Sequence, residues 1–359
     1  MNNSIRIFLL LGIIISVVQN MYAQGESAVP FLLIAPGARP GGMGEAGVAM
    51  ANDATAIYWN PAGLAFQYED PETDNRGEAS LMHVKWLPQF NFSDLWYDYL
   101  AVRYYVDDIG MLGASITFLN LGKNHATDEN GNDLGTFDSF EYAITVAYAT
   151  KLQENLGLGV NLKFIQSNLT DKNLQVGSEN RDGRSSSFAV DVGVKWIPAY
   201  EFLGNRLSLG ANLSNFGPKM TYIDEAQADP LPTNLRVGVA YKLVDDEFNQ
   251  ITLVYDANKL LVNREGTSSD NVFKATFYSA WTQSVKKITH SIGAEYWYGN
   301  LIALRAGYFY EDNQYGGRQF ATFGAGLKYY IFGIDFGYIS ASENHPLSDT
   351  MRFSVLIEF

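Results

Sequence analysis

From about residue 77 to the C-terminus, apolar side chains recur at every second position. Phe188, Val190, Val192, Val194 and Trp196 are separated by Ala189, Asp191, Gly193 and Lys195. Leu156, Leu158, Val160, Leu162 and Phe164 alternate with Gly157, Gly159, Asn161 and Lys163. The last stretch does the same: Met351, Phe353, Val355, Ile357 and Phe359 stand against Arg352, Ser354 and Glu358. A period of two is the signature of a strand, because successive side chains point to opposite faces. The pattern predicts strands over 78–92, 97–107, 110–121, 138–152, 155–169, 185–198, 205–216, 233–244, 249–259, 286–299, 301–312, 318–331, 332–341 and 349–359, about fourteen in all. Many are longer than the usual 5–6 residues of soluble strands and match the 9–11 that cross a bilayer at a tilt.

The connections sort by parity. Segments 122–137, 170–184, 217–232, 260–285 and 313–317 are mostly long and polar, whereas 107–109, 153–154, 245–248 and 299–300 are short. Long connections at one end and short turns at the other characterise an outer-membrane barrel. One face of the strands carries Leu, Val, Ile and aromatic residues. The other carries small residues and the isolated charges Arg103, Lys163, Asp191, Lys195, Arg236, Asp256, Glu295, Arg305, Lys328, Asp335 and Arg352. In a barrel the apolar face meets lipid and the mixed face lines the lumen. Arg or Lys at mid-depth on the lipid face would cost about 2–4 kcal/mol. The fold class is therefore all-β, a closed transmembrane antiparallel barrel over 77–359. About fourteen strands enclose a space that short side chains cannot fill, since about eight already give a filled interior. Residues 24–76 lack the alternation, are rich in small residues, and are expected to form an N-terminal plug.

Residues 1–23 read as a secretory signal. Arg6 supplies positive charge, residues 8–18 are apolar but too short to span, and Ala23 precedes the expected cut. Aromatics make up 14% of the chain and cysteine is absent, which excludes a disulfide framework and a thiol nucleophile. The net charge of −14 argues against nucleic acid as a partner.

Candidate chemistry is sparse. Gly42, Gly44 and Gly47 match a G-x-G-x-x-G loop, but no strand–helix alternation surrounds them and Asp53 comes too early for a ribose contact. The glycines are better explained by close approach of backbone to a barrel wall. Asn52 or Asp53 is expected to cap a short helix through Trp59, which Asn60-Pro61 would end. His83, His125, His290 and His345 are scattered without metal spacing. The acidic stretch from Asp128 to Asp133 lacks the turn glycine of a calcium loop, and Ser139 replaces its bidentate Glu. No nucleophile elbow or P-loop is present, so neither a cofactor nor an enzymatic activity is expected. Aromatics such as Trp86, Tyr104, Trp196, Trp297 and Tyr330 fall near strand ends, as interface girdles do.

The segment PFLLIAPGARPGGMGEAGVAMANDATAIYWNPAGLAF (30–66) closely resembles the N-terminal signature of the PorV/PorQ family, outer-membrane barrels of the FadL superfamily found in Bacteroidetes. LPTNLRVGVAY (231–241), YDANKLLV (255–262) and NHPLSDTMRFSVLIEF (344–359) resemble PorV more than PorQ. The resemblance implies a plugged fourteen-stranded barrel in the outer membrane of a Gram-negative bacterium, with loops at the cell surface. It marks Arg39, Gly42, Gly44, Glu45, Asp53, Trp59, Asn60 and Pro61 as the plug signature and Phe359 as the C-terminal residue used in barrel assembly. It also implies partners: the type IX translocon pore protein, secreted proteins with a C-terminal signal domain, and a sortase-like attachment complex to which cargo is shuttled.

Within 260–285, the stretch NVFKATFYSAW (271–281) is apolar for an exposed loop. Phe273, Phe277, Tyr278 and Trp281 are candidate docking residues; a helix packed over the barrel mouth is the competing expectation. An alternative function is a FadL-like channel for passive uptake of hydrophobic small molecules. That reading requires a greasy pocket between plug and wall, lined by Phe31, Leu32, Ile57, Tyr58 and Trp59. A barrel hydrolase would need a Ser/His pair on neighbouring strands, and the spacing offers none.

Overall fold

The computed structural model describes residues 27–68, 75–92, 94–127, 130–170, 183–200, 204–222, 228–265, 268–343 and 345–359. The proposed signal, residues 1–23, lies outside them, as do Asp128 and Glu129 of the acidic stretch. The alternating segments form β1 (Gly77–Lys85), β2 (Trp96–Val106), β3 (Gly110–Thr127), β4 (Asp133–Gln153), β5 (Leu156–Asn168), β6 (Arg184–Trp196), β7 (Leu207–Phe216), β8 (Asn234–Asp245) and β9 (Asn249–Leu260). A two-residue hairpin follows, β10 (Arg264–Glu265) and β11 (Ser268–Ser269). The wall then resumes with β12 (Ile288–Tyr298), β13 (Ile302–Tyr310), β14 (Gln319–Tyr329), β15 (Phe332–Ser340) and β16 (Met351–Glu358). Leaving out the β10–β11 hairpin, fourteen strands pair antiparallel with their sequence neighbours, and β16 pairs with β1 to close the barrel. Closure leaves no unpaired first or last strand in the ring, a requirement where lipid cannot hydrogen-bond a free backbone.

The seam is made by the C-terminus. Phe359 exchanges backbone hydrogen bonds with Gly77 at 2.6 and 2.9 Å. A side chain at Gly77 would meet the Phe359 ring at 2.2 Å, so glycine there admits the terminal aromatic.

Parity sorts the wall as the alternation requires. Leu100, Leu112, Ile144, Leu162, Phe188, Leu304, Phe323 and Phe353 point outward and are exposed, whereas Arg103, Asp191, Arg236, Asp256, Glu295, Arg305 and Arg352 point inward and are buried. No helix among the described residues is long and apolar enough to cross a membrane. On the outer face an aromatic ladder runs through Trp96, Phe118, Phe140, Tyr142, Phe164 and Phe188, with successive centroids 5.2 to 6.4 Å apart. It lies toward the end of the barrel that carries the long connections.

Three boundaries differ from the sequence-based expectation. The connection expected over 122–137 is largely strand: β3 and β4 continue as a hairpin beyond the wall, with a bulge between Asn120 and Gly122. The polar alternation there satisfies ladder hydrogen bonds in solvent and gave no apolar signal. β1 stops at Lys85 rather than 92, because Pro88 starts a short 3-10 turn and cannot donate to a ladder. The helix near Trp59 spans Ala56–Trp59 with Thr55 at its N-cap, so neither Asn52 nor Asp53 occupies that position. Asp53 instead accepts from the Thr55 backbone at 2.9 Å, an Asx turn just ahead of the helix. Asn60 ends the helix in extended backbone, and its side chain caps the following turn by accepting from Ala62 N at 3.1 Å.

Candidate functional site

Residues 27–68 run through the inside of the barrel. Ala28 N donates to the Pro230 carbonyl at the long-loop end. Residues 38–62 press against inward-facing positions of β5 to β16, and Arg76 leads into β1 at the short-turn end. The wall meets this segment with small residues. An added Cβ at Gly307 would lie 2.2 Å from Met43 C, at Gly159 2.2 Å from Pro61 C, and at Gly210 2.4 Å from the Val48 carbonyl. Gly44 needs its own glycine twice over: its φ is +69°, and a Cβ would lie 2.7 Å from the Ile292 and Tyr308 backbones.

The charges of the wall point at the same segment. Arg39 donates through Nε and Nη2 to both Glu295 oxygens at 2.8 Å, a forked pair. Its Nη1 reaches Asn52 at 2.8 Å and Asp53 at 3.2 Å. Arg305 donates to Glu295 and to Asp335, each at 2.6 Å. Arg352 donates to Glu45 at 2.5 Å. Asp256 accepts the backbone N–H groups of Gly47 at 2.7 Å and Val48 at 2.9 Å. Gly44 N donates to Thr322 at 2.7 Å, and Asn161 donates to the Ile57 carbonyl at 2.7 Å. Trp59 donates through Nε1 to the Pro36 carbonyl at 3.1 Å, and the Arg236 guanidinium lies 4.7 Å from the ring centres of both Tyr58 and Trp59.

The eight signature positions are therefore gathered in one place. Arg39, Glu45 and Asp53 pair with charges, while Gly42, Gly44, Asn60 and Pro61 press on glycines 324, 307, 193 and 159. The partners Glu295, Arg305, Asp335, Arg352 and Asp256 were visible in the sequence as inward charges. Which residue of the inner segment each would meet was not, since the bonds join positions more than 200 residues apart. At the short-turn end a cavity of about 960 Å³ opens, floored by Arg39, Met50, Asn52 and Asp53 and walled by Glu295, Trp297 and Asp335.

The apolar residues Phe31, Leu32, Ile57 and Trp59 are buried against Tyr97, Tyr99, Met111 and Ile165. The void beside Leu32, Ile57 and Tyr58 is about 10 Å³, at the lower limit of what one water requires.

The four candidate docking residues lie elsewhere. Asn271 caps a helix over Val272–Phe277 by accepting from Lys274 N at 2.9 Å. Ala275 and Thr276 turn inward, and Phe273, Phe277, Tyr278 and Trp281 are 64, 70, 67 and 53% exposed. The helix thus packs down on its small face and presents its aromatics outward. Trp281 Nε1 donates to the Thr276 carbonyl at 2.7 Å, and Gln283 Nε2 donates to the Val262 carbonyl at 2.9 Å, so the loop has a defined shape. Hydrogen bonds from Lys274, Asn263 and Ser279 hold the Asp270 carboxyl down at about 2. A depressed carboxylate stabilises above its unfolded value of 3.8 and loses that contribution as pH falls through about 2. Amide protection over 272–277, corrected for the intrinsic exchange rate, is therefore expected to be unchanged between neutral pH and about pH 5; a drop there would show that the Asp270 carboxyl titrates in that range instead of near 2.

The fold is similar to that of several solved structures. The Pseudomonas putida toluene transporter TodX matches with a TM-score of 0.56 at 14% identity, covering 90% of this chain and 97% of that one. The Ralstonia pickettii toluene transporter TbuX gives 0.52 at 15% identity, and a Pseudomonas aeruginosa FadL homologue 0.53 at 12%, each covering 90% of this chain and 98% of the other. At such identities the likeness concerns the fold. No curated relative matches the sequence. The family described as type IX secretion system protein PorV matches residues 19–266, well over half of the 359. The chain belongs to that family, as an outer-membrane β-barrel of type IX secretion.

Proposed function

We propose that this protein is a non-enzymatic carrier of the type IX system. It binds secreted proteins with a C-terminal signal domain at the translocon pore protein and shuttles them to the sortase-like attachment complex, with its long loops at the cell surface. The observation that carries this reading is the hydrogen-bonded segment over 268–287 with four exposed aromatics. Large aromatic side chains on an ordered support are the usual anchors of protein interfaces, and clustered exposure marks a binding surface. The filled lumen supports the same reading. Residues 27–68 act as a plug, and the inward polar groups hold it rather than line a path.

The uptake reading draws on the likeness to toluene transporters, which concerns the fold alone. Its greasy pocket is occupied by the packed side chains of Phe31, Leu32, Ile57 and Trp59.

The test uses the tagged full-length chain in cells that make its partners. Phe277→Ser with Tyr278→Ser, and the quadruple change that adds Phe273→Ser and Trp281→Ser, are expected to lose co-purifying translocon pore protein and cargo in steps. Heat-modifiable migration should be retained, because none of the four helps close the wall. Undiminished capture by the quadruple variant would overturn the assignment of the loop.

A further inference from the structure

One stretch of the wall is not sealed by strand pairing. Asn215 takes a left-handed backbone (φ 58°), which Asn tolerates, and β7 carries an extra residue there: Val190 pairs with Phe216, but Val192 pairs with Leu213. The bulge turns β7 aside. Above Val190, residues 184–189 of β6 pair with β5 and, among the described residues, with no residue of β7. Gly217 and Pro218 cross the gap, and proline brings no N–H to it.

The result is a groove of about 710 Å³ on the outer face. Its sides are the outward residues Ile144, Leu162, Phe164 and Phe188, and its far edge is Phe216 with Phe273 standing edge-on to it at 5.2 Å. Two residues of inward parity, Lys163 and Ala189, also line it, so the groove cuts into the wall rather than lying upon it. It stops there. The Lys163 ammonium is held by Asp191 at 3.1 Å and Asn215 at 2.6 Å, and behind it lies the 10 Å³ void. The roof is braced: Lys219 donates to the Ser269 carbonyl at 2.5 Å, and Arg264 pairs with Asp229 at 2.8 Å.

We propose that this groove is a preformed seat for one acyl chain of a membrane lipid. It is continuous with the lipid-facing band at Ile144, Val146 and Leu162, so hydrocarbon reaches it from that side. Its surface is apolar apart from one lysine whose hydrogen bonds are already satisfied. The seat is a dead end and differs from a transport path.

The full chain is purified in a mild detergent, supplied with dipalmitoyl phosphatidylethanolamine and examined by native mass spectrometry. One lipid is expected to stay bound. Leu162→Trp, which fills the groove from an outward position, should lose it; Leu304→Trp, on the opposite wall, should keep it. In intact cells a photo-crosslinking benzoylphenylalanine in place of Phe188 should yield a lipid-sized mass addition. A wild-type protein that retains no lipid, equal retention by Leu162→Trp, or a crosslink to a second protein would each overturn the proposal.

Discussion

Glu295→Ala is expected to destabilise the closed barrel by about 3 to 5 kcal/mol, the cost of leaving buried charge unpaired. Glu295 is buried on β12 and accepts three hydrogen bonds, two from Arg39 and one from Arg305. Replacing it with alanine strips Arg39 of its forked partner and leaves Arg305 with Asp335 alone. Asp53 and Asp335 still compensate in part, which favours the lower end of the range. Glu295→Gln keeps the shape and one acceptor oxygen but removes the charge and turns an NH2 donor toward an Arg donor, so it should fall between. The change also removes the tie between residue 39 and the wall at the edge of the 960 Å³ cavity. Thermolysin added from the short-turn side should therefore cut near Asn52 faster than in the parent. Guanidinium unfolding in detergent reads the first effect and the cleavage rate the second. A parent-like midpoint together with parent-like cleavage would mean that the cluster does not hold the inner segment.

The dependence of this site on distant partners explains what could be read from the chain alone. Alternation is local, and β12 announces itself over eleven residues whatever lies opposite. Hence the strand number, the faces and the sorting of connections were all legible. Glu295 was recognisable as an inward charge because it stands between Ala294 and Tyr296 on an alternating strand. Nothing near it points to Arg39. Partner choice depends on how a non-repeating segment threads a closed space, and that is a property of the whole barrel. The groove between β6 and β7 was hidden for a similar reason. Phe188 read as an ordinary outward aromatic and Phe273 as a loop residue, and only the one-residue bulge at Asn215 parts the wall beside them. The extension of the β3–β4 hairpin escaped notice because a polar solvated ladder carries no hydrophobic period.

The glycines of the wall are open to a sharper test. Gly307→Ala adds one methyl group, and that methyl would sit 2.2 Å from both Met43 C and Gly44 N. The neighbour is backbone, fixed in turn by Thr322 and by the left-handed turn at Gly44, so it cannot swing aside as a side chain would. Overpacking of this kind costs about 1–3 kcal/mol, and the upper end is expected where backbone must move. Gly333→Ala is the control. It too points inward, on β15, but faces the open cavity, and its new methyl would find Leu356 Cβ at 3.4 Å, an ordinary contact. The two substitutions have the same chemistry, the same kind of strand and no left-handed backbone. They differ only in whether the inner segment lies against the position. If small residues line this wall to admit that segment, Gly307→Ala should lower the unfolding midpoint and raise cleavage within 38–62, while Gly333→Ala leaves both unchanged. Equal behaviour of the two variants would mean that the glycines serve strand geometry alone.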